Sequence, residues 1–265
     1  MEYKNLGQPV AIGRTADIHK WEEGTVVKLY QDWFQLESIQ NEAGRTRELS
    51  SLDFPIPQVG EVVQVNDRNG LILEHIHGKN MLELVKADPS LMPDFAKRLA
   101  QLHVRLHQLD AQPNIAPQSE KLARNIRDAR PLSDHLKTIL LGMLDQMPEA
   151  SCVCHGDFHP GNVIVTAEGE VVVDWNDASI GSSVGDVARS TILFLGGITG
   201  NEAPDPVFET TVRQFHKQYL NYYFDLRPEG KDDYERWLPI IAGARLCENI
   251  TALEPWLLAE AEKAI

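Results

Sequence analysis

The rhythm of apolar and polar positions changes early in the chain. Up to Tyr30 the apolar residues come in short runs. These are Val10-Ala11-Ile12-Gly13, then Asp17-Ile18-His19-Lys20-Trp21, then Thr25-Val26-Val27-Lys28-Leu29-Tyr30 after a turn at Glu23-Gly24. Short β-branched runs bounded by turn residues predict strands. From Phe34 to Leu49 the apolar residues Phe34, Leu36, Ile39, Ala43 and Leu49 are spaced among Gln, Glu and Arg, which predicts a helix. Phe54-Pro55-Ile56-Pro57 breaks it, and strands are expected over 58–65 and 71–75, joined by a turn at Asn66-Asp67-Arg68-Asn69-Gly70. Beyond Gly78 helical spacing takes over. A short helix is expected over 81–85 and a long amphipathic one over 89–109, with Phe95, Leu99, Leu102, Leu106 and Leu109 on one stripe. Helices follow over 119–129 and 133–147, and again over 207–224, 234–252 and 255–264. There is no internal repeat and no low-complexity tract.

One stretch interrupts the helical part. His155-Gly156-Asp157-Phe158-His159-Pro160-Gly161-Asn162 runs into Val163-Ile164-Val165, and Val171-Val172-Val173 then ends in Asp174. Two strand-like segments flanking a turn would deliver an acid, an amide and a second acid in fixed order. Taken singly these are ordinary turn formers. Together they match what phosphoryl transfer requires. A carboxylate positions the attacking hydroxyl and accepts its proton, while a carboxamide and a second carboxylate hold the metal that bridges the phosphates. The spacing His-x-Asp-x-x-x-x-Asn fits the kinase catalytic loop, with Asp174 standing where the second metal-binding Asp belongs.

The wording HGDFHPGN, with the later VVVDW, resembles the aminoglycoside phosphotransferase and choline kinase family of small-molecule kinases. That resemblance implies an α+β, bilobal, protein-kinase-like fold, with a small β-sheet N-lobe carrying one helix and a larger, mainly helical C-lobe. The lobes are expected over 1–76, for nucleotide binding, and 77–265, for the catalytic loop and acceptor pocket. It implies ATP as donor and Mg2+, with Asp157 as base or hydroxyl-orienting residue and Asn162 and Asp174 as metal ligands. Lys28, in the third strand, would contact the ATP phosphates. Glu42, on the first helix, would pair with it. Glu74 and Ile76 would offer a carbonyl and an amide to adenine. His155 would brace the loop, and His159 would either touch the transferred phosphate or position a metal-bound water. The family also places an Asp at position 186 to hold the catalytic-loop backbone, and the sequence alone reads Asp186 as an N-cap. The turn Gly13-Arg14-Thr15-Ala16-Asp17 sits where a phosphate-covering loop is expected, with backbone amides at Thr15 and Ala16 as candidate phosphate contacts.

Other readings stay open. All the expected catalytic residues are present, yet a pseudokinase that binds nucleotide without turnover would carry much the same sequence. A protein kinase is disfavoured, because only ten residues separate Asp174 from Gly185, too few for a peptide-docking segment. Trp175 is expected in the core, and Asp177 either supports the site or merely turns the chain. His75 with His77, and His103 with His107, have metal-like spacing but no evident third ligand. His103 and His107 are therefore assigned to packing or to the surface. Glu248 and Glu254 are candidate contacts for a cationic acceptor.

Composition narrows the partners. The 265 residues carry a net charge of −14, which repels nucleic-acid backbones and anionic membranes and is compatible with a cationic acceptor. No apolar run approaches the about 20 residues of a membrane span. Met1-Glu2-Tyr3-Lys4-Asn5 lacks the pattern of a signal peptide. Three cysteines, Cys152, Cys154 and Cys247, form no framework and suit a reducing cytoplasm.

Overall fold

The computed structural model describes residues 6–13, 15–110, 113–199 and 205–265. Met1 to Asn5 and Arg14, on which two of the expectations above fall, lie outside them. The chain begins with strands β1 (Ala11–Ile12), β2 (Ala16–Lys20) and β3 (Thr25–Tyr30) and helix α1 (Leu36–Leu49). Strands β4 (Val59–Val65), β5 (Arg68–Glu74) and β6 (Lys79–Asn80) come next, then helices α2 (Met81–Ala87), α3 (Met92–His107), α4 (Gln118–Asp128) and α5 (Asp134–Asp145). Strands β7 (Cys152–Cys154), β8 (Val163–Val165), β9 (Glu170–Val172) and β10 (Ser179–Gly181) surround the motif region. Helices α6 (Ser183–Thr199), α7 (Pro206–Leu226), α8 (Tyr234–Arg245) and α9 (Glu254–Glu262) complete the chain.

These elements form two compact units, neither of them one continuous stretch. The first takes the chain up to Asn80 together with Val163–Asn176; the second takes Met81–Asn162 together with Asp177–Ile265.

The first unit is built on an antiparallel sheet of order β1-β2-β3-β5-β4. Strand β3 is buried along almost its whole length, which is why its β-branched run is nearly continuous. Helix α1 buries Ile39 and Ala43 with Ala16, Tyr30 and Leu71 in one cluster. Each large side chain so removed from water contributes about 1.5–3 kcal/mol. A smaller sheet, β6-β8-β9, holds the second hairpin. Trp175 is buried as expected and meets Phe54 edge to face at 5.8 Å.

The second unit is helical. Helix α3 lies along α7, and α8 packs with α6 and α9. Strands β7 and β10 pair antiparallel beside them. Among the described residues, no helix is long and apolar enough to cross a membrane.

Three local expectations need correction. The turn after β4 is only Asn66-Asp67, both at positive φ (48° and 69°), so Arg68, Asn69 and Gly70 are strand residues. Two left-handed residues make the tight turn that best matches strand twist. Helix α8 stops at Arg245 rather than running to Ala252, because a 3-10 turn follows and Asn249 turns left-handed at φ 53°. Asp186 does not cap its helix. Helix α6 begins at Ser183, and the Ser182 hydroxyl accepts the Gly185 amide instead.

Candidate phosphoryl-transfer site

The first unit assembles three of the expected residues. Lys28 is buried in β3, and its ammonium donates to Glu42 on α1 at 2.8 Å and to Asp174 at 2.9 Å. The strand alternation of β3 turns Lys28 toward α1, and Glu42 sits on the helix face that packs there, with Ile39, Ala43 and Thr46. Burial would depress the Lys28 ammonium, but Asp174 and Glu42 outweigh it and hold it above the ordinary lysine range. Asp174 follows β9 with φ 64°, a conformation uncommon for a residue with a side chain and one that clusters at functional positions. Its side chain remains 43% exposed.

At the strand end, the Glu74 amide points to Gln58 and the His75 amide to Gly24. Around the first turn, the Gly13 amide closes on the Ala16 carbonyl, and the Thr15 carbonyl accepts from Gln31. His75 and His77 stand ring to ring at 4.1 Å.

The second unit holds the other residues around the loop between β7 and β8. Gly156 sits at φ 79°, and a Cβ there would press on the Asp177 carbonyl; only glycine takes both conditions without strain. Asn162 donates through Nδ2 to both the carbonyl and Oδ2 of Asp157, each at 2.9 Å. The His159 ring folds back over Gly161, whose amide donates to Nδ1 at 3.0 Å. That leaves Nε2 as the ring N–H, 3.7 Å from Asp157 Oδ2. His155 accepts the Asp157 amide on Nδ1. Burial would raise the Asp157 carboxyl, but His159, Arg189 and His155 overcome it and hold it well below the usual carboxylate range.

Asp186 lies beneath this loop with no exposure. Its carboxylate accepts the amides of His155 at 2.7 Å and Gly156 at 2.8 Å. The same Oδ2 accepts from His103 Nε2 at 3.0 Å and from His107 Nε2 at 3.3 Å. Both histidines are buried in α3, so the surface assignment for them does not hold.

Sequence reasoning passed over Arg189. Its guanidinium donates to the Gly156 carbonyl at 3.1 Å and to Glu248 at 2.6 Å. Arg245 also lies 3.5 Å from Glu248. The Glu248 carboxylate is thus ion-paired with two arginines of the protein. Asp177 is ion-paired with Lys121, so it does more than turn the chain. A lone arginine inside a helix carries no motif, and only the fold links it to the loop.

Each unit, taken by itself, carries an oxygen donor of the kind a divalent cation such as magnesium takes. Asn162 spends its amide hydrogens on Asp157, so its carbonyl oxygen is the ligand left over. Asp174 gives Oδ1 to Lys28 and keeps a second oxygen. Amide and carboxylate oxygens are the ligands a hard cation takes.

A model of the phosphotransferase enzyme family matches residues 10–229. No curated protein matches the sequence. Among solved structures, a choline/ethanolamine kinase family protein from Mesorhizobium loti superposes with a TM-score of 0.66 at 14% identity, covering 99% of this chain and 88% of that one. A thermostable mutant of aminoglycoside phosphotransferase APH(4)-Ia, in a ternary complex with ADP and hygromycin B, gives 0.67 at 14% identity over 97% of this chain and 92% of that one. The amicoumacin kinase hAmiN, in complex with AMP-PNP, Ca2+ and Ami, gives 0.62 at 14% identity over 97% and 87%. At such identity these likenesses establish the shared protein-kinase-like fold, and the family match supplies the rest: the chain belongs to the phosphotransferase enzyme family.

Proposed function

We propose that this protein transfers the γ-phosphoryl group of ATP to a hydroxyl of a small molecule. The observation that carries the reading is the Asp157 loop. Its carboxylate is ionised, is steadied on one oxygen by Asn162, and keeps Oδ1 for a partner. The acceptor hydroxyl would donate its hydrogen bond to Asp157, which aims the oxygen at the γ-phosphorus. As the new O–P bond forms and the bond to the β–γ bridging oxygen breaks, ADP leaves and the hydroxyl proton passes to Asp157. A carboxylate held this low is a weak base. It acts chiefly by orientation, which suits a loose transition state that asks little of a base.

Lys28 would neutralise charge on the ATP phosphates, with Glu42 holding it in line. The Glu74 carbonyl and Ile76 amide would take the adenine edge, and the Thr15 region would cover the phosphates. Asn162 and Asp174 would hold magnesium, which when bound would neutralise charge on the phosphate oxygens. His159 would steady Asp157 through Nε2, and a contact to the transferred phosphate would use that same nitrogen. His155 and Asp186 would keep the loop in place. ADP and hygromycin B are bound to the APH(4)-Ia mutant, and AMP-PNP and Ami to the amicoumacin kinase; both favour a nucleotide donor and a small acceptor here. The matched acids at Glu248 and Asp177 weaken the case for a polycationic acceptor, and Glu254 remains the other acidic candidate.

The test is ADP formation from ATP and magnesium across a panel of amines, sugars and aminoglycosides. Turnover that depends on one acceptor class supports the reading. Tight ATP binding with no turnover on any acceptor would instead support a pseudokinase, and transfer to a protein substrate would support a protein kinase.

A further inference from the structure

The proposed transfer gives Asp186 a task but leaves the two histidines sealed in beside it without one. His103, His107 and Asp186 are three ionisable side chains at 0%, 3% and 0% exposure, with their nitrogen and oxygen atoms within 4.8 Å of one another. Their geometry resembles a metal site, but hydrogens already occupy the space. Asp186 can only accept, so each histidine must present an N–H from Nε2. Burial first of all pushes His103 down to about 3 and lowers His107 as well, so both rings are neutral and each Nδ1 is an acceptor. The Tyr219 hydroxyl donates to His103 Nδ1 at 2.7 Å and the Tyr223 hydroxyl to His107 Nδ1 at 2.8 Å. The two rungs repeat at one helical turn on both partners, α3 and α7. Every polar atom of the cluster therefore has its hydrogen-bond partner, and a cation would have to expel several of them.

We propose that His103 and His107 are positioning residues for Asp157. They fix the Asp186 carboxylate where it takes the amides of His155 and Gly156, the two residues before Asp157. His103 also acts on the residue after it, since its ring stacks on Phe158 at 3.9 Å and 16°. The loop is thus clamped on both sides of Asp157 by one histidine. Two hydroxyls on α7 set the tautomers that make the clamp work. A fully satisfied buried network of this kind rigidifies what it holds.

The proposal rests on the role given to Asp157 above, so the test reads the clamp separately from the chemistry. In 15N-labelled protein, both histidine rings should stay neutral with the proton on Nε2 from about pH 8 down to about pH 5. An imidazolium or an Nδ1–H tautomer on either ring would overturn the proposal without any variant. His103→Leu should speed hydrogen exchange at the His155 and Gly156 amides relative to those of α9. It should also lower kcat by about tenfold to a hundredfold with KM for ATP nearly unchanged, the scale expected of a misplaced reacting group. His103→Gln, which restores an N–H donor, should recover much of both. If Leu and Gln are equally impaired, or if neither changes exchange, the clamp is refuted. Should His103→Leu not fold, His107→Gln against His107→Leu gives the same comparison. If Asp157→Asn keeps full turnover, the role of Asp157 falls, while the exchange and tautomer results still judge the clamp.

Discussion

Asp174 and Asp186 are carboxylates held by residues far away in sequence, and they are held in opposite ways. Asp174 has one cationic partner, a left-handed backbone and a side chain 43% exposed. Asp186 has no exposure and accepts two backbone amides and two ring N–H groups. The first arrangement leaves an oxygen for a ligand. The second leaves nothing for one, and all its bonding goes into backbone and helices. The same contrast separates Lys28 from the buried histidines. Lys28 is a charge balanced by charges, while His103 and His107 are neutral groups whose tautomers are set by tyrosines. One acid is left incomplete, and the other is saturated.

That contrast is broken most sharply by substituting the two acids in turn. Asp186→Asn should destabilise the fold by about 3–5 kcal/mol, the range for disrupting a buried charged network. Asp174→Asn should change stability by less than about 1 kcal/mol, yet lose magnesium-dependent turnover. Chemical denaturation and steady-state assays on both variants check the pair. If Asp174→Asn unfolds the protein, or Asp186→Asn leaves it as stable as before, the distinction is wrong.

A second variant set sharpens the charge side of the comparison. Lys28→Met leaves the buried Glu42 carboxylate with its cation gone and should cost about 3 kcal/mol. Adding Glu42→Gln should recover most of that stability, because no uncompensated charge remains. Weakened use of ATP should persist in the double variant. Recovery of both properties together would place Lys28 among purely structural residues.

Acid titration probes the neutral side of the comparison. Burial first, and then its neighbour His107, hold His103 down to about 3 against an ordinary 6.5, and His107 shifts the same way. Burial holds His216 down to about 4. Between those values the unfolded chain takes protons that the native protein refuses, so stability must fall as pH falls. Each such histidine contributes about 1.4 kcal/mol per pH unit in its window. Stability should therefore drop steeply below about pH 6, and His103→Gln should flatten the slope by one histidine's share. An unchanged slope would mean that His103 is not held neutral.

Much of the first unit could be read directly, because strand alternation and helix period are local signals. Lys28 in its β-branched run and the HGDFHPGN segment needed no tertiary information. What could not be read depends on partners far apart. His107 is 79 positions from the Asp186 carboxylate it donates to, and Tyr219 is 116 from His103. No periodicity announces such a pair, so two histidines four apart looked like packing or surface residues. Glu248 looked like an available acid for the same reason, since Arg189 lies 59 residues away. The turn at Asn66-Asp67 was overdrawn because composition marks turn-prone residues without saying which two adopt positive φ. A single cut along the chain also cannot express that Val163–Asn176 belongs with the first unit.

The central claim is that the Asp157 carboxylate aims the acceptor hydroxyl, and single-turnover transfer from γ-labelled ATP to an acceptor, compared between the native protein and Asp157→Asn, tests it most directly. The account predicts a loss of about two to four orders of magnitude in the transfer rate, with ATP affinity and thermal stability retained. Transfer at an undiminished rate in Asp157→Asn would contradict it.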